Sequence, residues 1–166
     1  NRGTGRLALA IGAERQQEFL KGLGFFDATS LEIVEAQGGK PLLPKRWTEL
    51  STVTISYGHG LSSSPMHLAA GYAAIANGGF KVEPTLLRQT GPRLGPRLMS
   101  ETTARQSVDM LRKVVTEGTA SFGEVPGYAV GGKTGTADKP KARGGGYYDD
   151  KGINTFASVF PSNDPQ

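Results

Sequence analysis

Four consecutive residues toward the C-terminal end of the chain, Lys133, Thr134, Gly135 and Thr136, combine a cation, two hydroxyls and a glycine. A lysine ammonium and threonine hydroxyls donate hydrogen bonds to a carboxylate, and bonds to a charged partner are strong. On an exposed strand, Gly135 would let a substrate backbone approach closely, and a strand N–H would help to stabilise an oxyanion. These residue types predict a site that binds a carboxylate and positions an acyl carbonyl for attack.

A second interpretation of the same region is a phosphate loop, because residues 127–134 satisfy the pattern G-x-x-x-x-G-K-[ST]. A phosphate loop needs a buried strand before it and a helix directly after it, so that backbone N–H groups face the phosphates. The preceding segment 122–126 is no core strand, and prolines and glycines follow the pattern. We therefore interpret residues 129–137 as a strand beside a cleft, and nucleotide binding is the weaker alternative.

The composition bounds the remaining functional classes. The chain has 166 residues, of which 37% are hydrophobic and 20% charged, and 24 are glycine. The net charge of +4 comes from scattered basic residues rather than from a tight run, so we expect no nucleic-acid partner. With no cysteine and only two histidines, disulfides and thiolate sites are excluded and a catalytic metal site is disfavoured, so we expect no cofactor.

Three helices and several strands are predicted to position the four residues. The helices are expected over 4–20, from Ser64–Pro65 to the Asn77-Gly78-Gly79 stop, and over 101–117 behind an N-cap at Ser100. The strands are expected over 51–57, 82–87, 129–137 and 154–160, the last two joined by a linker too long for a tight hairpin. His67, on an otherwise apolar helix, is interpreted as a surface or capping residue.

Four segments in order resemble the transpeptidase domain of class B penicillin-binding proteins, the septal (division) branch in particular. They are Asn1–Leu9 (the end of S-x-N and the following helix), Ser56–Ala70 (S-[YF]-G-x-G-L…T-P-[LM]-Q-L-A), Leu111–Ala120 (L-R-x-V-V-x-x-G-T-[AG]) and Gly127–Ala137 (G-Y-x-[VI]-[AG]-G-K-T-G-T-A). The resemblance implies that residues 1–166 are the C-terminal portion of one such domain. Its fold would be α+β, with an antiparallel sheet flanked by helices and truncated at both ends.

The activity implied by the resemblance is that of a serine-type D,D-transpeptidase, which crosslinks peptidoglycan. In the family, a serine of S-x-x-K attacks the D-Ala–D-Ala amide of a stem peptide, and the acyl group passes to an amine of a neighbouring strand. β-Lactams mimic D-Ala–D-Ala and trap the serine. The resemblance also implies an upstream anchor, a position at the periplasmic face of the inner membrane, and a membrane glycan polymerase and divisome proteins as partners.

Residue roles follow by position from the same resemblance. Asn1 would hydrogen-bond the substrate amide and the catalytic lysine. Lys133 would supply electrostatics for the proton relay and for the substrate carboxylate. Thr134 and Thr136 would bind that carboxylate, with the Thr136 N–H in the oxyanion hole and Gly135 between them.

Two further residues and two missing elements complete the expectation. Tyr57 and His59 occupy positions where the family has aromatics along the cleft wall, although a tyrosine is frequent at the position of His59. The S-x-x-K element and the serine of S-x-N are not among the 166 residues. We expect them upstream of Asn1, and expect the 166-residue piece alone to be inactive. The alternative is a non-catalytic penicillin-recognising homologue, such as a sensor or scaffold domain.

Overall fold

The computed structural model describes residues 1–37, 39–91, 93–141 and 145–165. Its elements are helices α1 (Arg2–Ile11), α2 (Ala13–Gly22), α3 (Val34–Gln37), α4 (Glu49–Ile55), α5 (Pro65–Ala76) and α6 (Glu101–Thr116), a 3₁₀ turn (Ser121–Gly123), and strands β1 (Gly131–Pro140) and β2 (Tyr147–Val159). They form two compact units, the first of residues 1–74 and 79–99, the second of residues 75–78 and those from 100 onward. None of the helices in the described part of the chain has the length and apolarity that a bilayer crossing requires.

The N-terminal helix of the first unit is broken into two, so the prediction of one helix over 4–20 was wrong. Gly12 adopts φ +90°, a conformation that favours glycine, and its N–H closes α1 on the Ala8 carbonyl at 2.9 Å. α2 begins at the next residue.

Helix α4 occupies residues predicted to be a strand over 51–57, and that prediction was also wrong. Thr48 and Ser51 form a reciprocal capping box, each side-chain oxygen accepting the other's backbone N–H at 3.2 Å. The helix packs on α1, where a Cβ on Gly5 would lie 3.0 Å from Val53 Cγ1. Capping and packing therefore override the strand propensity of a β-branched run.

Helix α5 begins and ends where predicted, but His67 is only 3% exposed rather than at the surface. Its Nδ1 lies 2.7 Å from Ser64 Oγ and its Nε2 lies 2.8 Å from the Asp27 carbonyl oxygen. The ring thus joins the helix start to the loop after α2, and the capping contact with Ser64 is present. Residues 82–87 form no strand, contrary to the prediction.

In the second unit, α6 begins behind Ser100, whose Oγ accepts the Thr103 N–H at 3.1 Å, and the prediction of this helix is confirmed. α6 packs against β1, and Val115, Ala120 and Val130 form the buried centre of the unit. This arrangement places the predicted site strand directly on a helix.

β1 and β2 are consecutive antiparallel strands, with Gly131 opposite Val159 and Thr136 opposite Asn154. β2 begins at Tyr147 rather than at 154, so the expected long linker is mostly strand. The glycine-rich residues 142–144 of that linker lie outside the described residues. Helices against an antiparallel pair agree with the predicted α+β class.

Candidate active site

The four predicted site residues lie together in the middle of β1. Lys133 pairs with Ala157, and Thr136 pairs with Asn154. Lys133 and Thr136 are exposed, while Thr134 and Gly135 are half-buried. In the described part of the chain β1 has one strand partner, so its other edge carries no strand. Such an edge presents backbone N–H and C=O groups to an extended peptide.

The Lys133 ammonium lies against the backbone and hydroxyl of the next residue. Its Nζ donates to the Thr134 carbonyl oxygen at 2.8 Å and lies 3.3 Å from Thr134 Oγ1. An ammonium carries three N–H donors, so a third remains for an anion alongside these two contacts. The charge and a threonine hydroxyl thus converge at one point of the strand.

Thr119 is a candidate site residue that was not predicted from the sequence. Its Oγ1 lies 3.3 Å from Thr134 Oγ1, which places a second hydroxyl beside that of Thr134. Gly118 makes the tight exit from α6 that places Thr119 there, since a Cβ on Gly118 would lie 2.8 Å from the Val114 carbonyl oxygen. The sequence signal for this residue was the Gly118-Thr119 pair of the third resembling segment.

Gly132 and Gly135 of β1 leave no room for a side chain, and the atoms that crowd them differ. A Cβ on Gly132 would lie 2.6 Å from the Ala157 carbonyl oxygen and 2.8 Å from the Phe156 ring. A Cβ on Gly135 would collide with Thr155 Oγ1. A glycine at position 135 is therefore required by the neighbouring strand β2 as well as by the expected approach of a substrate.

The start of β1 is fixed to α6 by Arg112. The Arg112 guanidinium donates to the Val130 carbonyl oxygen at 2.8 Å. It also forms a bidentate ion pair with the Glu124 carboxylate, in which Nη2 lies 2.8 Å from Oε1. The hydrogen bonds from Arg112 hold the pKa of Glu124 below its ordinary value. The pKa of Arg112 is raised by the same contact.

The other three predicted site residues belong to the first unit. Asn1 is exposed and precedes α1, and its carbonyl, not its side chain, caps that helix by accepting the Gly5 N–H at 2.9 Å. Tyr57 and His59 are exposed on the turn after α4. The His59 N–H bonds to the Thr54 carbonyl at 3.0 Å.

The phosphate-loop interpretation of residues 127–134 finds no support in the geometry. The residue pattern of a phosphate loop runs into β1 and is followed by strand rather than by helix, so that interpretation is wrong. Among the residues that the structure describes, no three His, Asp or Glu side chains are grouped closely enough to hold a metal ion.

Comparison with known proteins gives one family. The model of the penicillin binding protein transpeptidase domain matches residues 1–166. A probable peptidoglycan D,D-transpeptidase FtsI of Caulobacter vibrioides is 33% identical over 99% of this chain. The apo transpeptidase domain of penicillin-binding protein 3 from Burkholderia pseudomallei superposes with a TM-score of 0.87 and 37% identity over 98% of the chain. Penicillin-binding protein 3 of Mycobacterium tuberculosis, solved with ampicillin, gives a TM-score of 0.88 and 30% identity over 99%.

The chain spans only part of each of these proteins. It covers 28% of the Caulobacter protein, 50% of the Burkholderia chain and 40% of the Mycobacterium chain. The resemblance drawn from the four sequence segments and the expected fold are confirmed by these matches. The roles of individual residues are not tested by them.

Proposed function

The chain belongs to the penicillin-binding protein transpeptidase family, and from that premise we propose that it forms part of a peptidoglycan D,D-transpeptidase. Such an enzyme crosslinks stem peptides through a serine acyl-enzyme. The observation that carries the proposal is that the Thr134 hydroxyl on β1 lies 3.3 Å from both the Lys133 ammonium and the Thr119 hydroxyl. In the described part of the chain, one edge of β1 carries no strand. These groups suit a peptide that ends in a carboxylate.

Binding would use the open edge of β1. An extended stem peptide lying along that edge gains backbone hydrogen bonds, while its terminal carboxylate meets Lys133, Thr134 and Thr136. The developing negative charge on the acyl oxygen would be stabilised by the Thr136 backbone N–H. Because these donors are held by strand pairing and by α6, they need little reorganisation when the charge develops.

The remaining roles concern the first unit. Asn1 would hydrogen-bond the substrate amide and the catalytic lysine of S-x-x-K, and its side-chain amide is not engaged in capping α1. Tyr57 and His59 would line the cleft wall, which agrees with their exposure on a turn. The 166 residues contain no S-x-x-K element and therefore no counterpart of the family's nucleophilic serine. We assign acylation to the complete gene product, in which these residues would be joined to an S-x-x-K element.

The partners proposed are stem peptides ending in D-Ala–D-Ala and β-lactams. The ampicillin complex of the Mycobacterium relative supports the second of these. The family further suggests a place at the periplasmic face of the cell membrane, beside a membrane glycan polymerase and divisome proteins. No nucleic-acid partner and no cofactor are proposed.

Covalent labelling tests the proposed function. The complete gene product and the isolated 166-residue chain are incubated with a fluorescent penicillin and examined by mass spectrometry. We expect one label per molecule of the complete product, on the serine of S-x-x-K, and none on the 166-residue chain. Stoichiometric labelling of the isolated chain, or none of the complete product, would contradict the proposal.

A second candidate is a homologue that recognises penicillin without catalysis. It would bind penicillin reversibly, so that dialysis would remove the ligand from the complete gene product. Retention of the label after denaturation would exclude this candidate.

A further inference from the structure

We infer that Arg112 is a positioning residue for the K-T-G-T segment, fixing the start of β1 through the Val130 carbonyl. This inference rests on the proposed function. The Val130 carbonyl immediately precedes β1, and the Arg112 guanidinium reaches it at 2.8 Å from the neighbouring helix. Val130 itself is 8% exposed and belongs to the buried centre of the unit.

The backbone of α6 lies unusually close to the same point. A Cβ on Gly131 would lie 3.1 Å from the Arg112 backbone nitrogen and 3.3 Å from the Leu111 carbonyl carbon. The first residue of β1 is therefore in close contact with one turn of the helix. Arg112 holds the strand at that turn by two routes, its backbone packing and its side-chain hydrogen bond.

Glu124 keeps the guanidinium in place. The ion pair uses both carboxylate oxygens, a fork geometry that fixes the plane of the guanidinium. The side chains of the pair are 29% and 41% exposed, less than the 69% of both partners in the Arg105–Glu101 pair on the first turns of α6. Among the described residues, Arg105 donates to the Glu101 carboxylate alone, whereas Arg112 also donates to a backbone carbonyl.

The distance from this anchor to the chemistry is short. Lys133 follows Val130 by three residues, about 10 Å along an extended strand. A displacement of the strand start therefore moves the lysine and the two threonines together. Because a misplacement of about 1 Å can lower a rate on the order of a hundredfold, loss of the anchor should appear in acylation.

The test uses the complete gene product with the substitutions Arg112→Ala, Arg112→Lys, Glu124→Ala and the double Arg112→Ala/Glu124→Ala, and Arg105→Ala as the matched control. The second-order rate of acylation by benzylpenicillin is measured together with hydrogen exchange of the amides of residues 131–136. Arg112→Ala should lower acylation by about ten- to a hundredfold and speed that exchange. Arg112→Lys should recover part of the loss, and Arg105→Ala should match the wild type.

The double variant separates the carbonyl from the ion pair. If Val130 is the relevant partner, Arg112→Ala should still lower acylation when Glu124 is already alanine. If the effect vanishes in that background, Arg112 acts only as the partner of Glu124, and the inference is overturned. It is equally overturned if Arg112→Ala acylates at the wild-type rate, or if Arg105→Ala loses as much.

Failure of the proposed function gives a different pattern. A wild-type product that is never acylated would contradict the transpeptidase proposal. Hydrogen exchange by itself would then test whether Arg112 anchors the start of β1. Faster exchange confined to residues 131–136 in Arg112→Ala would support it, and unchanged exchange would refute it.

Discussion

The two regions that carry candidate site residues are held in different ways. The K-T-G-T segment of β1 is fixed along its length by strand pairing, by α6 and by Arg112. Tyr57 and His59 lie on a turn after a seven-residue helix, secured by backbone bonds to Thr54 and by Gly58 at φ +91°. A strand fixed from several sides sets each side chain precisely, whereas a turn depends on the helix before it. We therefore expect substitutions in β1 to have larger effects than substitutions around the turn.

The largest expected effect is that of Lys133→Ala on acylation by penicillin. Removing a preorganised donor from the reacting centre lowers a rate by roughly a hundred- to a thousandfold. The measurement is the acylation rate of the complete gene product. Lys139→Ala is the matched control, because Lys139 is an exposed lysine on the same strand. Equal losses of acylation rate in Lys133→Ala and Lys139→Ala would contradict a specific role of Lys133.

The next effect compares two glycines of β1. Gly132→Ala places a methyl group against the Ala157 carbonyl, which cannot move without breaking the pairing, so we expect a loss of about 1–3 kcal/mol in the free energy of unfolding. In Gly135→Ala the obstacle is the Thr155 hydroxyl, whose rotation limits the cost to about 1 kcal/mol. Chemical denaturation of both variants checks the order, and a larger loss at Gly135 would contradict it.

A smaller effect is expected where the turn of the first unit depends on α4. Thr48→Ala removes the capping box, which typically costs about 1 kcal/mol. Because α4 has only seven residues, loss of its N-terminal cap should destabilise the whole helix. Hydrogen exchange of the amides of residues 57–59 should then quicken, with little change at β1. Thr48→Ser keeps the hydroxyl and should behave as the wild type. Unchanged exchange in Thr48→Ala would show that the turn is held independently of the helix.

The smallest effect is a response to acid. Glu124 in the second unit and Glu32 in the first each have a lowered pKa, because Arg112 bonds to the one and Thr85 and Leu86 bond to the other. A carboxyl with a lowered folded-state pKa contributes stability above its unfolded pKa and loses it as the pH falls through the folded value. Below about pH 4.5, the amides at the start of β1 should therefore lose protection, measured as their exchange rate relative to that of an unstructured peptide at the same pH.

The matched pair for this acid response is Glu124→Gln and Glu32→Gln, followed by hydrogen exchange against pH. Glu124→Gln should flatten the pH dependence of the protection factors at residues 130–132, whereas Glu32→Gln should leave it unchanged. A pH dependence that survives in Glu124→Gln would assign the response to another group.

The comparison of regions also explains what the sequence could predict. The helices behind Ser100 and Ser64 were predictable because their caps and stops are local signals. The K-T-G-T segment was placed on a strand because glycines and prolines excluded a helix there. The strand predicted over 51–57 failed because the local capping box of Thr48 and Ser51 was overlooked. The helix also depends on the Gly5–Val53 contact, between residues far apart in the chain. Arg112 and Thr119 were missed because their partners Val130 and Thr134 lie 18 and 15 residues further along the chain.

The most direct test of the central claim is a crystal structure of the complete gene product acylated by ampicillin. The claim is that the K-T-G-T segment binds the carboxylate of the ligand along the open edge of β1. We predict that carboxylate within hydrogen-bonding distance of the Thr134 and Thr136 hydroxyls, with the Lys133 ammonium beside it. A covalent complex whose carboxylate is bound elsewhere, with the contacts between Lys133 and Thr134 unaltered, would contradict the claim.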